Sequence, residues 1–395
     1  MERAELVELL TPEGLTLLDE VAKADAAGDV VSAVSRLRAA GHSPSLVATV
    51  LTQARLRLKA KAKFGEFAAR MLFTEAGLEQ ATRLRVASLH AGRFEAAGLS
   101  RVADLGCGIG GDAIAFAGLD LEVTAVDVDE VTATVASYNL APFASARVEH
   151  ASAEDVDLDR FDALYFDPAR RTAGHSNTAR LTQPSDYTPS LDFVFTAAAD
   201  RPTGVKLGPG FDRALIPNDA EAQWVSVDGQ VVELGLWFGS LARDGIRRSA
   251  LVLDSDGSHE LHAGADSEDV DVAPLGEYLW EPDGAVIRAR LIGDVARSLG
   301  AGMLSDGIAY LTGDSAGTSP FASGFRVLER FPLDERTLKR ELKTRGIGTL
   351  EVKKRGADID PAAFRTRMNL KGPNSATLIL TRVAGRHAAL LCERL

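Results

Sequence analysis

Between residues 100 and 254, short apolar runs alternate with stretches whose apolar residues recur every three or four positions. RVADLG, LEVTAVDV, ARVEHA, FDALYFD and TGVKLG are rich in β-branched or aromatic residues, and each ends at Gly, Asp or another loop former. GDAIAFAG and DEVTATVASYNLA, lying between the early runs, carry helical spacing. This alternation predicts a doubly wound parallel sheet. QWVSVDGQVVELGLWFG and RRSALVLDSDGSHELHA then place Asp-Gly turns between apolar runs, so antiparallel hairpins should finish the sheet. Ahead of it, VSAVSRLRAAG and SLVATVLTQARLRLKAKAKFGEFAARML predict a helical segment. Beyond Trp280, ARLIGDVARSLG and ERTLKRELKTRG each read as one helix, GTLEVKKRG as a strand, PAAFRTRMNL as a further helix, and SATLILTRV and HAALLCERL as two final strands. The acidic, polar stretch Ser255–Pro274 marks a boundary. The expected organisation is therefore a helical domain over 1–93, an α/β Rossmann-like domain over 94–272 and an α+β module over 273–395.

Composition narrows the class without choosing a function. At 395 residues, with 46% hydrophobic and 25% charged side chains, the chain has an ordinary globular balance. The acidic start MERAELVELL and the lack of a long apolar run predict neither a signal peptide nor a membrane span. Two cysteines, Cys107 and Cys392, are too few for a disulfide framework, which fits a reducing cytoplasm. Seven scattered histidines suggest no metal site. The net charge of −12 is unevenly spread: 34–93 hold 11 basic and 3 acidic side chains, 94–319 hold 15 and 37, and 320–395 hold 16 and 8. Basic segments flanking an acidic enzyme domain are the asymmetry expected when neighbours supply nucleic-acid affinity; solvated surface helices would give it too.

The candidate chemistry starts where the first strand runs into Asp104-Leu105-Gly106-Cys107-Gly108-Ile109-Gly110-Gly111-Asp112. Glycines there permit a tight turn and let backbone amides approach a ligand at a helix N-terminus. Gly106, Gly108 and Gly111 also spell G-x-G-x-x-G, so a dinucleotide must be weighed. The second strand ends at Asp127-Val128, where a carboxylate can accept from both ribose hydroxyls. Asp104, two residues before the first glycine, would attract a cationic amino group and repel a pyrophosphate. Ser152-Ala153-Glu154-Asp155 follow the third strand at the adenine edge, and Asp167-Pro168-Ala169-Arg170-Arg171 follow the fourth.

On these residues, over about 100–210, the chain resembles the class I S-adenosylmethionine-dependent methyltransferases, with D-x-G-x-G-x-G, an acidic end to the second strand and a D-P-x-x loop after the fourth. The resemblance implies S-adenosylmethionine as cofactor and S-adenosylhomocysteine as product. It implies that Asp104, Gly106, Cys107, Gly108, Gly110, Asp127, Val128, Ala153 and Glu154 form the cofactor site. In relatives that methylate nitrogen, a D/N/S-P-P loop followed by an aromatic residue holds an amino group so that its lone pair faces the methyl. Asp167, Pro168, Ala169 and Arg170 take those positions here, with Ala169 in place of the second proline and Arg170 in place of the aromatic residue. The Arg170 guanidinium plane can stack on a base, or Arg170 and Arg171 can bind groups of their own domain. RNA carbon-5 uridine methyltransferases use a similar loop but need a downstream cysteine nucleophile; here Cys107 lies in the glycine loop and Cys392 near the C-terminus, which disfavours that chemistry.

Phe73–Thr82 resembles the extension that helps close the cofactor site in trimethylguanosine synthase relatives, and the C-terminal segment resembles a THUMP-like module, a type associated with RNA. Lys206, at the end of the fifth strand, is expected to meet substrate phosphate, an acidic loop or solvent. Lys353, Lys354 and Arg355, with Arg365, Arg367 and Lys371, are expected to track RNA phosphates. The expectation is a cytoplasmic enzyme that methylates a base nitrogen of tRNA or rRNA by direct transfer. The alternatives are a methyltransferase of a small molecule or protein, or an inactive RNA-binding protein that keeps the cofactor fold.

Overall fold

In the computed structural model, residues 1–26, 37, 40–170 and 186–395 are described. They divide into two compact units, Met1–Leu207 with Leu236–Ala242, and Gly208–Gly235 with Arg243–Leu395.

The first unit begins with helices α1 (Arg3–Leu9), α2 (Pro12–Ala26) and α3 (Pro44–Phe64). Ser43 caps α3 by accepting from the Leu46 amide at 3.0 Å, and Pro44 occupies the first turn, where a missing N–H is harmless. Two short helical pieces follow, α4 (Glu75–Gln80) and α5 (Leu84–Ala96). The sheet strands are β1 (Arg101–Leu105), β2 (Glu122–Asp127), β3 (Ala146–His150), β4 (Ala163–Phe166) and β7 (Thr203–Leu207). They run parallel in the order β7-β4-β1-β2-β3. β4 and β7 are buried along their whole length, as continuous apolar runs in a covered parallel sheet should be. Helices α6 (Gly111–Gly118) and α7 (Glu130–Leu140) are the crossovers next to β2, and along the chain between β4 and β7 come the short strands β5 (Ala169–Arg170) and β6 (Tyr187–Thr188) and helix α8 (Leu191–Asp200). Because β1 lies between β2 and β4, the winding reverses there, and its carboxyl end opens on the crevice where such sheets bind ligands.

One apolar core joins the helical segment to the sheet, running from Leu9, Leu18, Val47 and Phe64 to Phe94, Phe116 and Tyr165. Two buried amides pin the chain between them. The Gln53 side chain spans Phe73, donating to its carbonyl at 2.7 Å and accepting from its amide at 3.0 Å. Asn139 accepts from the Leu72 amide at 2.8 Å and donates to the carbonyls of Leu72 at 3.0 Å and Ile109 at 2.9 Å. Every polar atom of such an amide must be matched when water is excluded, so segment 72–73 has a single register.

In the second unit, β8 (Glu221–Val227) and the start of β9 (Gln230–Phe238) are joined by Asp228-Gly229, whose φ values of 51° and 77° suit a tight hairpin turn. β10 (Arg248–Asp254) pairs parallel to β8 and antiparallel to β11 (Gly257–Ala263). ARLIGDVARSLG forms the one expected helix only from Ile292 onward. Helix α9 (Gly284–Ala289) stops at Arg290, whose φ is 60°, and α10 (Ile292–Leu299) starts afresh.

The rest is a seven-stranded sheet containing four strands that the hydrophobic pattern did not announce, β12 (Tyr278–Pro282), β13 (Gly302–Ser305), β14 (Ile308–Gly313) and β15 (Ala322–Phe331). With β16 (Ile347–Lys354), β17 (Asn374–Val383) and β18 (Arg386–Arg394) the order is β13-β14-β12-β15-β18-β17-β16. Helices α11 (Glu335–Thr344) and α12 (Pro361–Met368) share a core with it through Leu338, Leu342, Phe364 and Met368. Lys353 of β16 meets Glu281 of β12 at 2.6 Å although three strands lie between them, so the sheet curls and brings its β16 edge back over β12.

Candidate active site

The glycine loop follows β1 directly. Gly106, Gly108 and Gly110 have φ of 89°, 56° and 84°, a region that L side chains rarely adopt. A Cβ on Gly106 would also stand 2.9 Å from the Asp167 carbonyl oxygen. Gly111 has neither constraint, since a Cβ there would make ordinary contacts with Phe64 and Ala81. The conformationally required glycines are thus those of D-x-G-x-G-x-G, not the set that spells G-x-G-x-x-G.

Asp104 is 1% exposed, and neither carboxylate oxygen has a hydrogen-bond partner among the described residues. Burial pushes its carboxyl well above the usual range, and the nearby Asp112 and Asp167 add to the effect. A buried carboxylate without a donor is expensive unless a ligand supplies one. Asp127, at the end of β2, accepts from the Gly108 amide at 3.0 Å and the Asp129 amide at 2.9 Å, which ties the strand end to the glycine loop. Burial raises its pKa even though both amides favour the charged form. Val128 is exposed, Ala153 is buried in the turn Ala153–Asp155, and Glu154 is exposed and accepts from the Ser152 hydroxyl at 3.0 Å. The Cys107 thiol is buried and its pKa is pushed up, chiefly by burial.

Asp167 donates its amide to the Leu105 carbonyl at 3.2 Å, so the residue after β4 sits against the glycine loop. Pro168 is buried, and Ala169–Arg170 form a two-residue strand paired with Tyr187–Thr188. Arg171 lies outside the described residues. Lys206 is not a solvated strand end. It is 8% exposed and its ammonium is bonded to the Asp167 carboxylate, to Thr82 Oγ1 at 2.9 Å and to the Gln80 carbonyl at 3.5 Å.

Behind it stands a network that no sequence motif announced. Thr82 donates to Asp112 Oδ2 at 2.7 Å, and Asp112 Oδ1 meets His90 Nδ1 at 3.1 Å and the Tyr165 hydroxyl at 3.3 Å. Asp112 is fully buried, yet the bond to His90, the charge of Lys206 and the bond to Thr82 outweigh desolvation and hold its carboxyl below the usual range.

Segment 74–82 closes one side of the site. The Thr74 side chain accepts from the Gly77 amide at 2.9 Å to cap α4, and Gly77 leaves no room for a Cβ against Ile109 of the glycine loop. Cations of α3 hold this segment in place. Arg55 pairs with Glu75 at 2.6 Å, and Lys63 donates to the carbonyls of Leu78, Glu79 and Ala81 at 2.9, 2.8 and 2.7 Å.

Comparison with known proteins decides the family. Two curated proteins from Mycobacterium tuberculosis strains CDC 1551 / Oshkosh and ATCC 25618 / H37Rv, both named as S-adenosylmethionine-dependent methyltransferases, are 35% identical to this chain over 365 residues, covering 88% of it and 95% of each relative. The chain belongs to the S-adenosylmethionine-dependent methyltransferases. It is an enzyme of that class, and S-adenosylmethionine is its cofactor. A crystal structure of a Porphyromonas gingivalis W83 protein, described as a methyltransferase by inference, shares the fold with a TM-score of 0.70 at 21% identity, covering 90% of this chain and 92% of that one. Residues 322–394 match the family described as THUMP domain-like, and residues 2–60 match a domain of unknown function (DUF8688). Among the described residues no helix is long and apolar enough to cross a membrane, and no group of three or more His, Cys, Asp or Glu side chains is arranged to hold a metal ion.

The residues present suit this cofactor. The orphaned, buried carboxylate of Asp104 matches a ligand that brings a cationic amino group, and the positive-φ glycines leave the loop without side chains at the crevice. The C-terminal candidates fare differently from one another. Lys353 and Arg355 are drawn to Glu281 at 2.6 and 3.4 Å and lie over the rings of Phe325 and Tyr310, where the sheet curls back. Arg367 pairs with Glu335 at 2.7 Å, while Lys354, Arg365 and Lys371 are exposed. Exposed cations also run down α11, where Arg336, Arg340 and Lys343 at i, i+4 and i+7 lie on a face away from the buried Leu338 and Leu342, with Arg340 paired to Glu341 at 3.0 Å, while the half-buried Lys339 donates to the Arg367 carbonyl at 2.7 Å.

Proposed function

We propose that this methyltransferase transfers a methyl group to a nitrogen of an RNA base, in tRNA or rRNA, by direct in-line attack without a covalent enzyme intermediate. The observation that carries the proposal is the placement of Asp167-Pro168 against the glycine loop, so close that a Cβ on Gly106 would meet the Asp167 carbonyl. A carboxylate and a backbone carbonyl beside the donor site can both accept hydrogen bonds from an amino group and aim its lone pair. When bound, S-adenosylmethionine supplies a methyl on a sulfonium, an electrophile whose C–S bond breaks toward sulfur as the N–C bond forms. Asp104 holds the amino group of the methionine moiety, Asp127 the ribose hydroxyls, and Ala153 with Glu154 the adenine edge. Both cysteines are buried with raised thiol pKa, Cys392 at about 12, which argues against a thiolate nucleophile and therefore against carbon-5 chemistry.

The choice of RNA as acceptor is supported by the THUMP domain-like match and by the cationic face of α11, whose spacing suits phosphates along one strand. The test is transfer of a labelled methyl group to total RNA, followed by mass spectrometry of the digested nucleosides. A methylated base whose label sits on nitrogen is expected. Label found only on protein or small molecules, or on carbon, overturns the proposal.

A further inference from the structure

Lys206 is the hub of the buried network. Its ammonium touches the Asp167 carboxylate, the Thr82 hydroxyl and the Gln80 carbonyl, and lies 4.0 Å from Asp112. We propose that Lys206 is a positioning residue, fixing the Asp167 carboxylate as an ionised hydrogen-bond acceptor that orients the acceptor amine without taking its proton. The inference rests on the assignment of Asp167 to the acceptor.

The geometry supports it at three points. Lys206 itself is clamped, because Thr82 is bonded on its far side to Asp112 and Asp112 in turn to His90 and Tyr165. A donor locked by several buried bonds fixes the carboxylate it binds more tightly than an exposed lysine would. The charge balance points the same way. Asp104 of β1, Asp112 of α6, Asp127 of β2 and Asp167 gather around one end of the sheet, and the Lys206 ammonium lies among them. Without the ammonium, the repulsion of Asp104 and Asp112 would weigh more heavily on Asp167 and favour its protonated form. Finally, an oxygen that already accepts from an ammonium is a weak base yet keeps lone pairs for a further N–H donor. After transfer the surplus proton of the methylated nitrogen therefore leaves to water and not to Asp167.

Two measurements on the full-length protein test this. Carbon-13 NMR, with the Asp167 signal assigned by its loss in D167N, should show Asp167 ionised throughout about pH 5 to 8 in the wild type and titrating at higher pH in K206M than in the wild type, with K206R restoring the wild-type behaviour. This arm needs no acceptor, so failure of the RNA assignment leaves it intact. With methylated RNA as readout, K206M should lose kcat on the order of 100-fold and acquire an acid limb at higher pH, while calorimetry finds S-adenosylmethionine affinity undiminished; K206R should recover part of kcat. Wild-type Asp167 titrating between about pH 5 and 8 overturns the proposal even if K206M does not fold. So does a K206M enzyme with wild-type kcat and pH profile.

Discussion

Replacing Asp104 by Asn should make the ligand-free protein more stable and the cofactor bind more weakly. The carboxyl group is fully buried, neither oxygen has a donor among the described residues, and burial together with Asp112 and Asp167 raises its pKa. A group whose folded pKa lies above its unfolded value holds a proton that the unfolded chain has already released. Stability therefore falls as pH rises from the ordinary carboxylate pKa, about 3.9, toward the folded one, and below that range the two states are protonated alike. D104N has no such term. Its advantage over wild type should be small near pH 4 and grow toward neutrality, reaching roughly 1–3 kcal/mol, the penalty for a buried polar group left unsatisfied. Binding should move the other way. Removing one member of a buried charge pair costs about 2–4 kcal/mol, which is roughly 30- to 900-fold in Kd. Thermal unfolding from pH 4 to 8 and calorimetric titration with S-adenosylmethionine measure both effects. A variant less stable than wild type at neutral pH, or one that binds the cofactor equally well, refutes the reasoning.

Other expectations follow from single features. G106A combines a φ of 89° with a Cβ 2.9 Å from the Asp167 carbonyl, so it should cost about 1–3 kcal/mol in unfolding free energy and abolish cofactor binding seen by calorimetry. Burial, with help from Lys206 and Arg83, lowers the Lys63 pKa from 10.5 to about 8. Between those values the unfolded chain binds the extra proton, so stability gains a contribution that rises with pH, and denaturant titrations of K63M should lack that rise. On α11, R336A/K343A should weaken RNA binding and reduce the magnitude of the salt-dependence slope by about two, with little change in S-adenosylmethionine affinity.

Most of the strands and helices between residues 100 and 263, the glycine loop and the acidic strand ends were legible in the chain because each obeys a local rule. A strand buried on both faces reads as an unbroken apolar run. A helix shows its 3.6-residue period, and a loop that must take positive φ shows glycine. The same locality explains where the pattern misled. ARLIGDVARSLG has helical spacing throughout, but Arg290 turns the chain into the left-handed region between two helices, and nothing in the spacing marks it. β12 to β15 are short or half exposed and share their core with strands far along the chain, so their apolar positions make sense only once the seven-stranded sheet has formed.

What the sequence determined by itself is the local conformation of the cofactor loop and the kind of fold that carries it. The electrostatics of the site were decided by tertiary structure. Asp104, Asp112 and Lys206 look alike on paper, as charged residues near strand ends. Only packing leaves the first without a donor, encloses the second with His90, Tyr165 and Thr82, and turns the third onto Asp167. The same holds for Lys353 and Arg355, whose charges meet Glu281 only because the C-terminal sheet curls. The energy of a charge depends on its distance to partners and on the water it has lost, and both are properties of the folded chain.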